Sequence, residues 1–256
     1  MKTKNNTFSI SRLFLLGKRQ VLGNLSGLLI AFASFAGTLL VISLISGYSN
    51  PASLEKLAPL YYVVLFIGGY VFTSTIFAEM STPQRSIPFL TLPVSKLERL
   101  VNAWLLTAIL FPVLALLIYA LIVFLAHLIL GVPLTATALS IVWSKSALNV
   151  VMIYVITQSV FLFGAIYFRK HNFIRTLLSL FVFQIVISIF MAFIVYLLFG
   201  KFQFSEEVLV QQSNLSPAME RFFTYTLVEI AKFGFYYLMV PFFLMLTWFG
   251  IKERQV

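Results

Sequence analysis

Charged side chains divide this chain into stretches long enough to cross a lipid bilayer. None occurs in residues 20–54, 57–78, 100–144, 146–168, 176–200 or 233–251. A helix needs about 20 consecutive apolar residues to traverse a hydrocarbon core about 30 Å thick, and each run supplies them. The third run is the longest. Gly131-Val132-Pro133 interrupts it, and the threonine-containing piece that follows is short, so it reads as one span and then an external loop. The expected fold is all-α, a single transmembrane domain over 1–256, with spans at about 25–46, 58–78, 101–130, 147–167, 175–199 and 231–250.

Composition points the same way. Charged residues make up 10% of the chain and hydrophobic ones 61%, whereas soluble domains carry roughly a quarter charged residues. So much apolar surface needs lipid to cover it. The net charge of +10 is spread between the apolar runs rather than gathered in one patch, so nucleic acid is not an expected partner and membrane lipid is. With the N-terminus inside, 13 Lys and Arg fall on inner segments and 5 on outer ones. That asymmetry predicts both termini on the cytoplasmic side of a plasma membrane, the inner membrane in a bacterial cell. Trp104 and Trp248 fall near the inner boundary and Trp143 near the outer one, where indole rings prefer to sit. Polar residues precede the first span, which is long for a signal peptide, so it reads as a retained anchor. Before it, Ile10, Leu13, Phe14 and Val21 recur at helical spacing while Arg12, Lys18 and Arg19 face elsewhere. This predicts a short amphipathic helix in the cytoplasmic interface, its cations near anionic headgroups.

The inventory for catalysis is sparse. The chain holds no cysteine, no aspartate, eight glutamates and two histidines, His127 and His171. No H-E-x-x-H or G-x-S-x-G pattern is present. Gly17-Lys18-Arg19 lacks both the leading glycine and the Ser or Thr of a phosphate-binding loop. No catalytic residue, cofactor or metal is therefore expected, and any ATP hydrolysis belongs to another chain. His127 lies near the outer end of its span, within reach of headgroups, and reads as structural. Glu229 and Lys232, at i and i+3, open the last span; they form an ion pair at the helix entry or a candidate outer gate. Gly23-x-x-x-Gly27 and Gly68-Gly69 suit close helix packing, and Pro112 and Pro241 predict kinks.

The most informative segment is the loop Glu79 to Arg99. Pro83, Pro88 and Pro93 preclude one continuous helix. Ser95-Lys96-Leu97-Glu98 then makes a capping box, followed by Leu97, Leu100, Val101 and Trp104 at helical spacing. The third helix is thus expected to start at Ser95, outside the bilayer, and to exceed the bilayer by several turns.

Phe77-Ala78-Glu79, then Leu92-Pro93-Val94-Ser95-x-x-Glu98 and a long apolar helix, resemble the permease subunits of type-two ABC exporters. The six spans, the interfacial N-terminal helix, the long outer segment at about 201–229 and the charged tail Lys252-Glu253-Arg254 are similar too. The resemblance covers the whole chain as architecture and about 25 residues as motif. It implies a non-catalytic transport subunit that pairs with a second permease chain, the same or different, and with a separate ATP-binding cassette ATPase. The ATPase would dock on the coupling element between spans two and three. Carried over, Glu79, Arg85, Pro93, Ser95, Lys96, Glu98 and Arg99 form that element, with Ser95 and Glu98 shaping the helix start. The resemblance also implies a short outer helix at Ser216–Thr226. The competing reading is a self-contained six-helix membrane protein, a secondary transporter or an assembly factor. Scarcity of charge within the spans weighs against ion-coupled transport.

Overall fold

The computed structural model describes residues 8–23, 25–80, 94–134, 144–168, 170–199 and 225–253. These residues are helical, with no strand among them. In chain order the helices are α1 (Ile10–Gly23), α2 (Leu25–Ser49), α3 (Pro51–Thr75), α4 (Lys96–Leu130), α5 (Lys145–Tyr167), α6 (Asn172–Phe199) and α7 (Leu227–Glu253). The six from α2 to α7 are long and apolar enough to cross a membrane. Arg85, Pro93, Trp143 and the segment 216–224 lie outside the described residues, as does the side chain of Glu79.

Local chemistry sets the helix boundaries. The Asn50 side chain accepts from the Ala52 amide at 3.0 Å, and Pro51 opens α3 as a 3-10 turn before the α-helical part begins at Ala58. α4 ends at Gly131, whose φ of 66° is the left-handed conformation that glycine adopts without a Cβ clash. The Val132 amide then reaches back to the His127 carbonyl at 3.1 Å, closing the helix as the interrupted apolar run predicts. Ser144 caps α5 by accepting from the Ala147 amide at 3.1 Å.

Two clusters hold the bundle together. One lies among α2, α3, α4 and α5 and includes Leu39, Tyr61, Leu65, Phe111, Tyr119, Val123 and Tyr154. The other gathers Leu16 of α1, Phe77, Leu100 and Ala103 of α4, Leu162 and Ile166 of α5, and Ile251 of α7. α1 and the last turns of α7 therefore meet at the same end of the bundle. Trp104 and Trp248 pack against this second cluster, with the Lys252 Nζ 5.9 Å from the Trp248 ring. α6 presents Leu177, Phe181, Phe183, Ile189 and Phe190 to the outside. An apolar face of that extent is stable only under lipid or another helix.

The bundle is not uniformly α-helical. π-helical stretches occur at Val64–Gly68, Leu106–Leu110 and Gly234–Leu238. The last two end two residues before Pro112 and three before Pro241, where a regular helix would drive the proline ring into the carbonyl four residues earlier.

Close approach explains one of the two glycine pairs. A side chain on Gly69 has no room, because the Tyr154 ring fills the place of its Cβ, and Gly68 faces Phe111 and Phe35. Gly23 and Gly27 face open space. Gly69→Ala should therefore destabilise the bundle by about 1–3 kcal/mol through overpacking, against at most a few tenths for Gly27→Ala. Thermal unfolding of the two purified variants in one detergent checks the contrast.

Candidate docking site at the start of α4

The site is built around one carboxylate. Ser95 has extended backbone angles and caps α4, its hydroxyl accepting from the Glu98 amide at 3.2 Å. Glu98 returns the bond, its Oε2 accepting from the Ser95 amide at 2.7 Å. The capping box expected from the sequence is complete. Its second oxygen leaves the helix: Oε1 accepts from the Ser9 amide at 2.6 Å and from Arg12 Nε at 3.2 Å, with an Arg12 terminal nitrogen at 2.9 Å. Glu98 is fully buried, while Arg12 keeps 29% of its side chain in solvent. A charge removed from water needs full hydrogen bonding to offset its desolvation, and here the donors come from two backbone amides and a guanidinium.

The same helix pair is tied again one turn on. The Asn102 amide group donates to the Gln20 side-chain oxygen at 2.5 Å, with both residues buried. Between these two ties, a Cβ on Gly17 would stand 2.8 Å from Asn102 Oδ1. Glycine at that position lets α1 lie close against α4. α1 is thereby clamped at Ser9 and Arg12, in the middle at Gly17, and again at Gln20.

No protein-family model, curated protein or solved structure matches the chain. The site is therefore judged by its own geometry.

The structure separates the sequence-derived site residues into groups. Ser95 and Glu98 shape the helix start. Lys96 is half-buried. Arg99, expected on the docking surface, is only 3% exposed. Residue 99 follows Glu98 by one step of 100° on a helix whose Glu98 face is covered by α1, and the neighbouring Leu100 and Ala103 are also buried. Arg99 is thus packed within this chain. Glu79 stands in a 3-10 turn, Ala78–Met80, at the exit of α3. Arg12 was expected to face away from the apolar stripe with Lys18 and Arg19; those two are exposed, whereas Arg12 turns to Glu98.

At the other end, Glu229 and Lys232 are both exposed on α7, and among the described residues they form no ion pair with each other. His127 does not reach outward. It is 3% exposed and its Nδ1–H donates to the Val123 carbonyl at 2.8 Å, one turn back on its own helix.

Sequence reading missed a polar cluster inside the bundle. Gln158 of α5 donates to the Thr107 hydroxyl at 2.5 Å, the Tyr154 hydroxyl donates to the Thr107 carbonyl at 2.9 Å, and Tyr70 meets Thr157 at 2.6 Å. The signal available beforehand was Pro112. In the π-helical stretch the Phe111 amide bonds the Leu106 carbonyl, and the next residue, proline, has no N–H to offer. The Thr107 carbonyl is left for a donor from elsewhere, and the buried Tyr154 supplies it.

Proposed function

We propose that this chain is the membrane-spanning permease subunit of a type-two ABC exporter, paired with a second permease chain and driven by a separate ATPase docked on residues 79–99. In this reading both termini face the cytoplasm of a bacterial cell, and α1 lies in the inner interface of the plasma membrane. Catalysis of ATP hydrolysis is left to the partner.

The observation that carries the reading is the lock on Glu98. α4 has 35 residues, hence about 52 Å of length, while the hydrocarbon core takes about 30 Å. The part beyond the core begins at a rigid cap and is fastened to α1 by Arg12, Ser9 and Gln20. A push delivered to the loop before Ser95 would travel into a helix that crosses the whole bundle, rather than being lost in a fraying end. Energy transfer from a cytoplasmic motor requires a stiff input of this kind.

Affinity purification of the chain from its native membrane in mild detergent should recover an ATP-binding cassette ATPase. Recovery of the chain without one would refute the proposal and favour the self-contained six-helix reading. Charge reversal in Arg85→Glu with Lys96→Glu should cut the recovered ATPase about tenfold, since like charges at an interface act mainly against docking. The chain's membrane content should stay constant. An unchanged yield of ATPase would place docking elsewhere on the chain.

A further inference from the structure

α6 is tied to the bundle by its first turns. The Asn172 amide group donates to the Ser74 and Ala165 carbonyls at 3.3 and 3.1 Å, Phe173 lies 5.9 Å from the Phe161 ring, and Thr176 is buried against Gly164. From Leu177 to Met191 every residue is exposed. About 21 Å of helix thus stands with no face covered by the described residues.

Gln184 lies in the middle of this free stretch. About 13 Å of helix separates it from Arg175, and about 22 Å from the helix end at Phe199. A hydrocarbon core is about 30 Å thick, so the short side chain reaches neither headgroup layer. Among the described residues Gln184 has no hydrogen-bond partner. Thr38, Ser43 and Thr107 satisfy their hydroxyls on the preceding turn, and Asn102 finds Gln20 on another helix. A side-chain amide with neither solution is costly at that depth and needs a polar partner from outside the chain.

The amide decides what that partner is. It carries both donor and acceptor, so it is complementary to another copy of itself. Copies inserted with one orientation present α6 in parallel about a two-fold axis along the membrane normal, where a residue on the axis meets its own counterpart. Ser188 and Ala192 follow at i+4 and i+8 on the same stripe, and their small side chains let two such helices approach. Residues 176–200 hold no charge to oppose the contact.

We propose that α6 is the seam of a homodimer, two copies crossing at Gln184 with each amide donating to the other's side-chain oxygen. This deepens the permease reading by making the second permease chain a copy of this one. It concerns the membrane half alone, so dimer formation and ATPase recovery are separate results.

The chain has no cysteine, so one introduced thiol reports one position. In membranes of cells expressing the full chain and treated with copper phenanthroline, Ser188→Cys should join two chains, because a disulfide needs Cα atoms within about 7 Å. Val186→Cys, on the opposite face of the helix, should not. Gln184→Leu added to Ser188→Cys should cut the joined fraction about fivefold, and Gln184→Asn should cut it less. The fold is spared, since Gln184 is exposed and bonds nothing in its own chain. By native mass spectrometry in mild detergent the native chain should appear as two copies and Gln184→Leu as one. Equal joining at positions 186 and 188, a yield unmoved by Gln184→Leu, a joined partner of different mass, or a native chain found as one copy would each overturn the seam. An ATPase recovered with an unjoined chain would overturn the seam and leave the permease reading standing. Joined pairs without an ATPase would do the reverse.

Discussion

Glu98→Ala should destabilise the bundle by about 3 kcal/mol and release α1 first. The carboxylate accepts from the Ser95 and Ser9 amides and from Arg12, so its removal leaves two backbone donors and a cation unmatched at once. Losing a helix cap costs about 1 kcal/mol, and a buried amide left without an acceptor about 1–3 kcal/mol. The guanidinium adds little because Arg12 is already partly in solvent and can be rehydrated, as exposed partners of ion pairs generally are. Arg12→Ala should consequently cost only about 1 kcal/mol or less. Glu98→Gln should fall between, since a glutamine at the third helical position still serves the capping box. Unfolding by titrated denaturing detergent gives the three values. Trypsin cleavage within residues 12–19 reports the detachment of α1, and should accelerate most in Glu98→Ala. Equal losses for Arg12→Ala and Glu98→Ala would mean that the ion pair, and not the amide donors, fastens the two helices.

What could be read from the sequence was local or cumulative. Six charge-free runs became six helices because the requirement for about 20 apolar residues is set by the bilayer and is indifferent to which helix neighbours which. Gly131 and the Ser95–Glu98 box were legible because a left-handed turn and a reciprocal cap are decided within four residues. Periodicity predicted a helix before the first span but not which of its residues pack, since Leu16 and Gln20 are buried while Ile10 and Phe14 are exposed, nor the destination of Arg12, whose partner lies 86 residues away. Nor did it give the burial of Arg99: a single basic residue at the end of an apolar run looks the same whether solvent or another helix lies beside it. The packing face of α2 was hidden for a related reason. α2 is apolar all round, with no preferred face along its length, so nothing in its pattern says where along the helix packing begins. The contacts of Phe32, Phe35, Ala36 and Leu39 with the first cluster mark that place.

The polar cluster in the bundle tests whether helix irregularity and tertiary packing are one device. Tyr154 is fully buried, lies against Gly69, stacks near-parallel with Tyr70 at 6.0 Å and donates to the Thr107 carbonyl. Tyr154→Ala should therefore cost about 3–5 kcal/mol, as removal of large buried aromatics does. Tyr154→Phe keeps the packing and deletes the donor, and should cost about 1–2 kcal/mol, since the orphaned carbonyl sits where no water competes to bind it. The decisive comparison uses Pro112→Ala. That change restores a backbone N–H next to Phe111, the residue whose own amide is committed to Leu106. If proline is what orphans the Thr107 carbonyl, Tyr154→Phe should become nearly neutral in the Pro112→Ala background, a coupling of about 1 kcal/mol in a double-mutant cycle. If Tyr154→Phe costs the same in both backgrounds, the hydroxyl serves packing alone, and the π-helical stretch before Pro112 must owe its place to something other than the bond from α5.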